Sequence, residues 1–139
     1  MENTLIILKP DAVGDNLVGE ILSRFEADGL KIITLKRISL TERQAKSFYA
    51  EHEGKDFFEG LVDFMTSGPI VPVALTGDNA VQRARSLMGA TNPEEAVPGS
   101  IRAEFGAGMP DNAVHGSDSN QSAQRELSFF FAELDLINE

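Results

Sequence analysis

Residues 90–114 carry Pro93, Pro98, Gly99, Gly106, Gly108 and Pro110, too closely spaced for a long helix or strand. A loop of about 25 residues is unusual inside a compact domain and is more often functional than idle. Regular structure must therefore come from the chain on either side. Arg102 sits inside this predicted loop.

The loop runs into Asn112-Ala113-Val114-His115-Gly116-Ser117-Asp118-Ser119, which holds one of two histidines in the chain. An apolar pair precedes His115, small polar residues follow it, and nothing bulky occurs until Arg125. Such an imidazole has little cover on its C-terminal side. That suits a nucleophile approached by a large anionic substrate. It also suits a structural histidine that pairs with something local.

A helix is predicted next. Asp118 or Ser119 can cap it, with Gln121 three residues after Asp118 as in a capping box. Ala123, Leu127, Phe130, Phe131 and Leu134 recur at helical spacing and define its buried face. Glu126 falls on the edge of that face, where a carboxylate needs a partner or must reach solvent. A helix starting beside His115 can bring Glu126 back towards the imidazole.

Earlier in the chain, Leu5-Ile6-Ile7-Leu8 reads as a buried strand ended by Lys9-Pro10-Asp11. Lys9 then lies at the strand end, either snorkelling or serving a site. Leu17, Val18, Ile21, Leu22 and Phe25 form a helix face closed by Gly29, and residues 30–38 form a second strand. Thr41 with Gln44 starts a third element, along one side of which lie Ala45, Phe48, Tyr49 and His52. A helical piece with Phe57, Phe58, Leu61, Val62 and Met65 follows, broken by Ser67-Gly68-Pro69. The two pieces predict a helical hairpin. Residues 70–75 read as a strand in which Pro72, lacking a donor, predicts a bulge or an exposed nitrogen side. Asp78 or Asn79 caps a helix through Met88 that Gly89 ends. Arg85 shares the stripe of Val81, Ala84 and Met88, so it must leave the core face towards an anion or an internal partner. Arg83 points the other way, as a solvated arginine would.

A chain of 139 residues suggests one domain, 1–139, without repeats or linkers. It contains no Cys, which removes thiolate catalysis, cysteine zinc sites and disulfides. The N-terminus lacks a basic region and a long apolar run, and no segment approaches the roughly 20 apolar residues of a membrane span. A soluble, cytoplasmic protein is expected. The net charge of −10 argues against nonspecific nucleic-acid binding. It does not bar an anionic ligand, because distant carboxylates are screened beyond a Debye length of about 8 Å.

The eight residues from Asn112 to Ser119 resemble the active-site motif of nucleoside diphosphate kinases. Leu8-Lys9-Pro10-Asp11-Ala12-Val13, Phe57-Phe58, Ser67-Gly68-Pro69, Gly89-Ala90-Thr91-Asn92-Pro93, Pro98-Gly99-Ser100-Ile101-Arg102 and Glu126 follow in that family's order. The resemblance covers nearly the whole chain. It implies a ferredoxin-like α+β fold: a four-stranded antiparallel sheet with helices packed across it, a helical hairpin and a long active-site loop. The unaided order of strands and helices agrees.

The resemblance also implies a reaction: γ-phosphoryl transfer from a nucleoside triphosphate to a diphosphate through a phosphohistidine. There is no Gly-rich phosphate cradle, so side chains must hold the phosphates. Carried over by position, His115 is the nucleophile through Nδ1, with the other nitrogen donating to a backbone carbonyl. Ser117 and Glu126 orient the ring, and Tyr49 positions His115 or Lys9. Lys9, Arg102 and Thr91 stabilise the moving phosphoryl, Arg85 binds the β-phosphate side, Phe57 stacks on the base and Asn112 contacts the sugar. Mg²⁺ bridges the phosphates with few protein ligands. Nucleoside di- and triphosphates are the partners, without nucleic acid or membrane. The short tail implies a homo-oligomer, tetramer before hexamer or dimer. Pro72 and Glu53-Gly54-Lys55 depart from the family pattern, which affects local geometry. Two rival classes are a noncatalytic nucleotide-binding regulatory module on the same fold and a metal-binding protein. Two His and no Cys are few soft ligands for the latter.

Overall fold

Leu5, Ile6, Ile7 and Leu8 are each fully buried, because the strand that carries them, β1 (Glu2–Leu8), is covered on both faces. Strand alternation splits the four residues between two cores. Ile6 and Leu8 face Ile21 and Phe25 of α2 (Val18–Ala27) and Met88 of α5 (Ala80–Met88). Leu5 and Ile7 face Phe48 of α3 (Glu42–Phe48), Met65 of α4 (Phe58–Met65), and Leu127 and Phe130 of α7 (Asn120–Phe130). The computed structural model describes residues 1–137; the last two residues of the expected domain lie outside the described residues.

β1 is an inner strand of a four-stranded sheet ordered β2-β3-β1-β4, with β2 at Lys31–Leu35, β3 at Val71–Gly77 and β4 at Val114–Gly116. Every neighbouring pair is antiparallel. This is the expected α+β arrangement. α3 and α4, joined through a 3₁₀ turn at Ala50–His52, supply the helical hairpin. Thr41 and Gln44 form the expected capping box at the start of α3.

Several local expectations are corrected. Lys9-Pro10-Asp11 does more than end a strand: Pro10 opens a five-residue helix, α1 (Pro10–Gly14), since a proline at the first helical position lacks only a donor that would be unpaired anyway. β2 is shorter than predicted, with Ile38 bridging to Ile70 beyond its end. Pro72 is neither bulged nor at a sheet edge. Its carbonyl accepts from Lys36 N, so its missing N–H also faces β2, where that ladder stops; the bulge lies in β2 between Ile32 and Thr34. Asn79 occupies the N-cap of α5 in a left-handed conformation and makes no side-chain cap bond. The capping box of α7 pairs Ser119 with Ser122 and omits Gln121. Leu134 lies past the end of α7, in the 3₁₀ turn Glu133–Leu136, and is exposed. Arg83 is half-buried and pairs with Asp28 at 3.0 Å, tying the end of α2 to the start of α5.

The long loop is interrupted by a 3₁₀ turn, Pro93–Glu95, and by α6 (Ile101–Phe105), which Ser100 caps. Arg102 therefore sits on a short helix within the segment read as loop. Phe25 is fully buried between the sheet and α5, whereas Thr41 is exposed and supplies only a cap. Phe25→Ala is expected to lower unfolding free energy by about 3–5 kcal/mol and Thr41→Ala by about 1 kcal/mol, read from urea midpoints at fixed protein concentration.

Candidate active site

His115 pairs with Ile7 across the β1–β4 ladder, so its side chain leaves the sheet on the face that carries α3 and α7. Val114 and Gly116 take the other face. A Cβ on Gly116 would lie 2.7 Å from Met88 Sδ, so α5 packs directly on the strand backbone there. That approach lets Arg85 donate to Gly116 O at 3.2 Å.

The ring of His115 is held by a carboxylate. Its Nε2 lies 2.8 Å from Glu126 Oε1, and Ser117 Oγ donates to the same oxygen at 2.9 Å. An ionised carboxylate only accepts, so the hydrogen sits on Nε2 and the free lone pair on Nδ1. This corrects the expected partner, a backbone carbonyl, while keeping the expected tautomer. Glu126 is on the buried face of α7, 3% exposed, and not merely at its edge. Phe48 and Tyr49 meet the imidazole edge-on, with centroids 5.5 and 6.0 Å away.

His115 opens into a cleft of about 660 Å³ that also receives Lys9, Tyr49, Phe57, Arg85, Thr91, Arg102 and Asn112. Lys9 Nζ donates to Asn112 Oδ1 at 2.7 Å and Pro110 O at 3.2 Å. Burial, then the charge of Arg102, pull its ammonium down to about 8, against the opposing pull of Asp11 and Asp111. Arg102 is buried on α6 and donates to Gly89 O and Val114 O, while its Nε is buried without a partner among the described residues. Burial and then the Arg85 charge pull Arg102 down to about 10, so it is a cation at neutral pH.

Arg85, expected to leave the core face, is exposed, and its guanidinium stands at the cleft wall. Arg85 and Asp118 also line a neighbouring polar hollow of about 550 Å³ that His115 does not enter. Phe57 is 53% exposed, while Phe58 beside it is core. Asn112 is buried, and both ends of its amide are engaged: Oδ1 accepts from Lys9 and Nδ2 donates to Thr91 O at 2.8 Å. The Tyr49 hydroxyl has no hydrogen-bond partner among the described residues, and burial, then Glu126, push its pKa up, so it stays a phenol.

Two residues were not singled out from the sequence as site residues. His52 lines the cleft between Phe57 and Tyr49, with centroids 5.2 and 6.2 Å away and Nδ1 buried without a partner. Its place three residues after Tyr49 was the available signal. Arg125 lies 3.7 Å from Glu126 Oε2 and over the Phe48 ring. Nothing in its local sequence distinguishes it from a solvated helix arginine.

The family profile described as nucleoside diphosphate kinase matches residues 2–136. Among solved structures, the Aquifex aeolicus nucleoside diphosphate kinase is 45% identical, with a TM-score of 0.95, covering 98% of this chain and 99% of that one. A halophilic nucleoside diphosphate kinase from Halobacterium salinarum, in complex with CDP, is 41% identical, also with a TM-score of 0.95, covering 99% of this chain and 92% of that one. The fold and its cleft are thus those of a nucleotide phosphotransferase. The chain belongs to the nucleoside diphosphate kinase family and is an enzyme of that class.

The lowered Lys9 pKa has a kinetic consequence. The charged amine attracts phosphate, and raising the pH through about 8 removes that charge in the free enzyme. kcat/KM, which reports free-enzyme groups, is expected to fall above about pH 8, whereas an ordinary lysine would hold the rate level to about pH 10. The pH profile of kcat/KM for the phosphoryl donor, taken from subsaturating donor concentrations, checks this.

Proposed function

We propose that this enzyme transfers the γ-phosphoryl of a nucleoside triphosphate to a nucleoside diphosphate through a phosphohistidine on His115. The observation that carries the reading is the Glu126–Nε2 bond, which leaves the Nδ1 lone pair for the cleft. In the first half-reaction that pair attacks the γ-phosphorus. The bond to the β,γ-bridging oxygen breaks, and its electrons leave with the nucleoside diphosphate. Glu126 keeps the Nε2 hydrogen and faces the charge that develops on the ring; no proton need be removed. In the second half-reaction a β-phosphate oxygen of the acceptor attacks the phosphohistidine, and the electron pair returns to Nδ1.

Lys9, Arg102 and Thr91 are assigned to the moving phosphoryl, and Arg85 to the β-phosphate side. Each charge-assisted bond contributes roughly 1.5–3 kcal/mol. Tyr49 supports the ring by edge contact, and Phe57 offers a stacking face for the base. Asn112 holds Lys9; it meets the sugar with the second lone pair or N–H that its amide retains. His52, between the base and phosphate ends, adds a donor to the substrate.

Magnesium belongs to the same reading. Among the described residues no group of three His, Asp or Glu side chains could hold a metal, and Asp118 is an exposed carboxylate on the cleft. That donor set fits magnesium carried in with the substrate phosphates, for which Asp118 would be the nearby protein carboxylate. Such an ion supplies neutralisation of phosphate charge. A homo-oligomer, tetramer before hexamer or dimer, and a cytoplasmic setting complete the reading. A scattering mass tests the assembly. Among the described residues no helix is long and apolar enough to cross a membrane.

With γ-labelled ATP, the protein is expected to take up acid-labile, alkali-stable label; His115→Ala abolishes it and His52→Ala retains it. Label persisting without His115 refutes the assignment, and a noncatalytic binder takes none. A stacking face does not read base edges, whereas hydrogen-bonded pockets discriminate by roughly 10⁴-fold, so kcat/KM across common nucleoside diphosphates is expected to stay within a few tens-fold, about two orders below that. Steady-state kinetics with purine and pyrimidine acceptors measure the spread.

A further inference from the structure

Asp11 has no part in the chemistry above, yet it reaches across the fold to the strand that carries the nucleophile. Its Oδ2 accepts from Ala113 N at 3.0 Å, a contact spanning 102 positions of sequence. Ala113 is fully buried and has φ of 73°. Val114 N donates to Asn112 O at 2.8 Å, so Ala113 is the centre of a γ-turn with positive central φ, the rare and strained hand for a residue with a Cβ. Strained turns persist only where their surroundings hold them.

The surroundings are the segment Lys9 to Asp11. Lys9 N donates to Ala113 O at 2.9 Å, and Lys9 Nζ donates to Asn112 Oδ1 at 2.7 Å. Asp11 supplies the remaining hold, on the nitrogen side of the turn. The residue before the turn's centre, Asn112, fixes the lysine, and the second residue after it is His115. The angle of this one turn thus sets Lys9 and His115 relative to each other. We infer that Asp11 is a positioning residue for phosphoryl transfer, acting through the buried Ala113 turn to align Lys9 with His115. A simpler account makes Asp11 an acid favoured at the start of α1. That account leaves unexplained why its Oδ1 is buried without a partner among the described residues while Oδ2 is spent on Ala113. Burial pushes the Asp11 carboxyl up, and the Ala12 and Ala113 N–H groups oppose the shift, which agrees with a carboxylate held for a backbone donor.

The inference rests on the phosphohistidine reading, and the test separates the two. Single-turnover phosphorylation by γ-labelled ATP is measured per folded molecule, with ADP affinity measured in parallel. If the unaltered protein takes no label, the phosphohistidine reading fails. If it does, Asp11→Ala is expected to slow phosphorylation by about ten- to a hundredfold, the cost of misplacing reacting groups by about an ångström, with ADP affinity within about threefold. Asp11→Asn keeps an acceptor for Ala113 N and is expected to stay close to the unaltered rate. Asp11→Ala with a lower Tm and an unchanged rate overturns the inference, as does Asp11→Asn failing equally. Glycine adopts positive φ without a Cβ penalty. Asp11→Ala combined with Ala113→Gly is therefore expected to recover most of the rate. This pair is measured instead if Asp11→Ala does not fold; a folded but slow double variant overturns the inference.

Discussion

The hydrogen-bonded pairing of β1 with β4 is the contact on which the rest depends. β1 contributes to both cores, and β4 is short. Three registered pairs, ending at Leu8 and Val114, place His115 against the most buried part of the sheet. The helices on one face then bring Glu126, Phe48 and Tyr49 to the imidazole, and α5 on the other brings Arg85 to the Gly116 carbonyl. The site is the end of the hydrophobic core, where packing gives way to charge.

Charge in that site is arranged by burial. Lys9, Arg102 and Glu126 are nearly inaccessible, although the protein surface is strongly acidic. Each is held by backbone carbonyls or neutral side chains: Lys9 by Pro110 O and Asn112, Arg102 by Gly89 O and Val114 O, and Glu126 by Ser117. Arg102 and Lys9 repel one another, which is part of why the lysine proton is loosely held. A polyphosphate entering between them relieves that repulsion.

Much of this was legible in the sequence where a single physical pattern decided the outcome. The apolar run of β1, the Thr41 capping box and the apolar spacing of α7 each have one local solution. Glu126 on that apolar spacing announced a partner, and the partner is His115. What could not be read depended on contacts between distant segments. Arg85 had to leave its apolar stripe, but that its partner is the Gly116 carbonyl depends on the approach of β4. Pro72 signalled a lost donor, but only the end of the β2 ladder shows why that loss is tolerated there. The α1 and α6 helices are too short to leave a periodic signature. The convergence of Lys9, Arg85, Arg102 and Thr91 on one cleft followed from resemblance, not from spacing.

Arg102 gives both of its terminal nitrogens to the two ends of the long loop, Gly89 and Val114. One guanidinium thus closes the base of the loop as a clasp closes a ring. The outer part of that loop, around the exposed Val97, connects to the clasp through Ser100, which donates to Val97 O and caps the helix that carries Arg102. The side chain assigned to the phosphoryl thereby also ties the start of the loop to the strand that ends it.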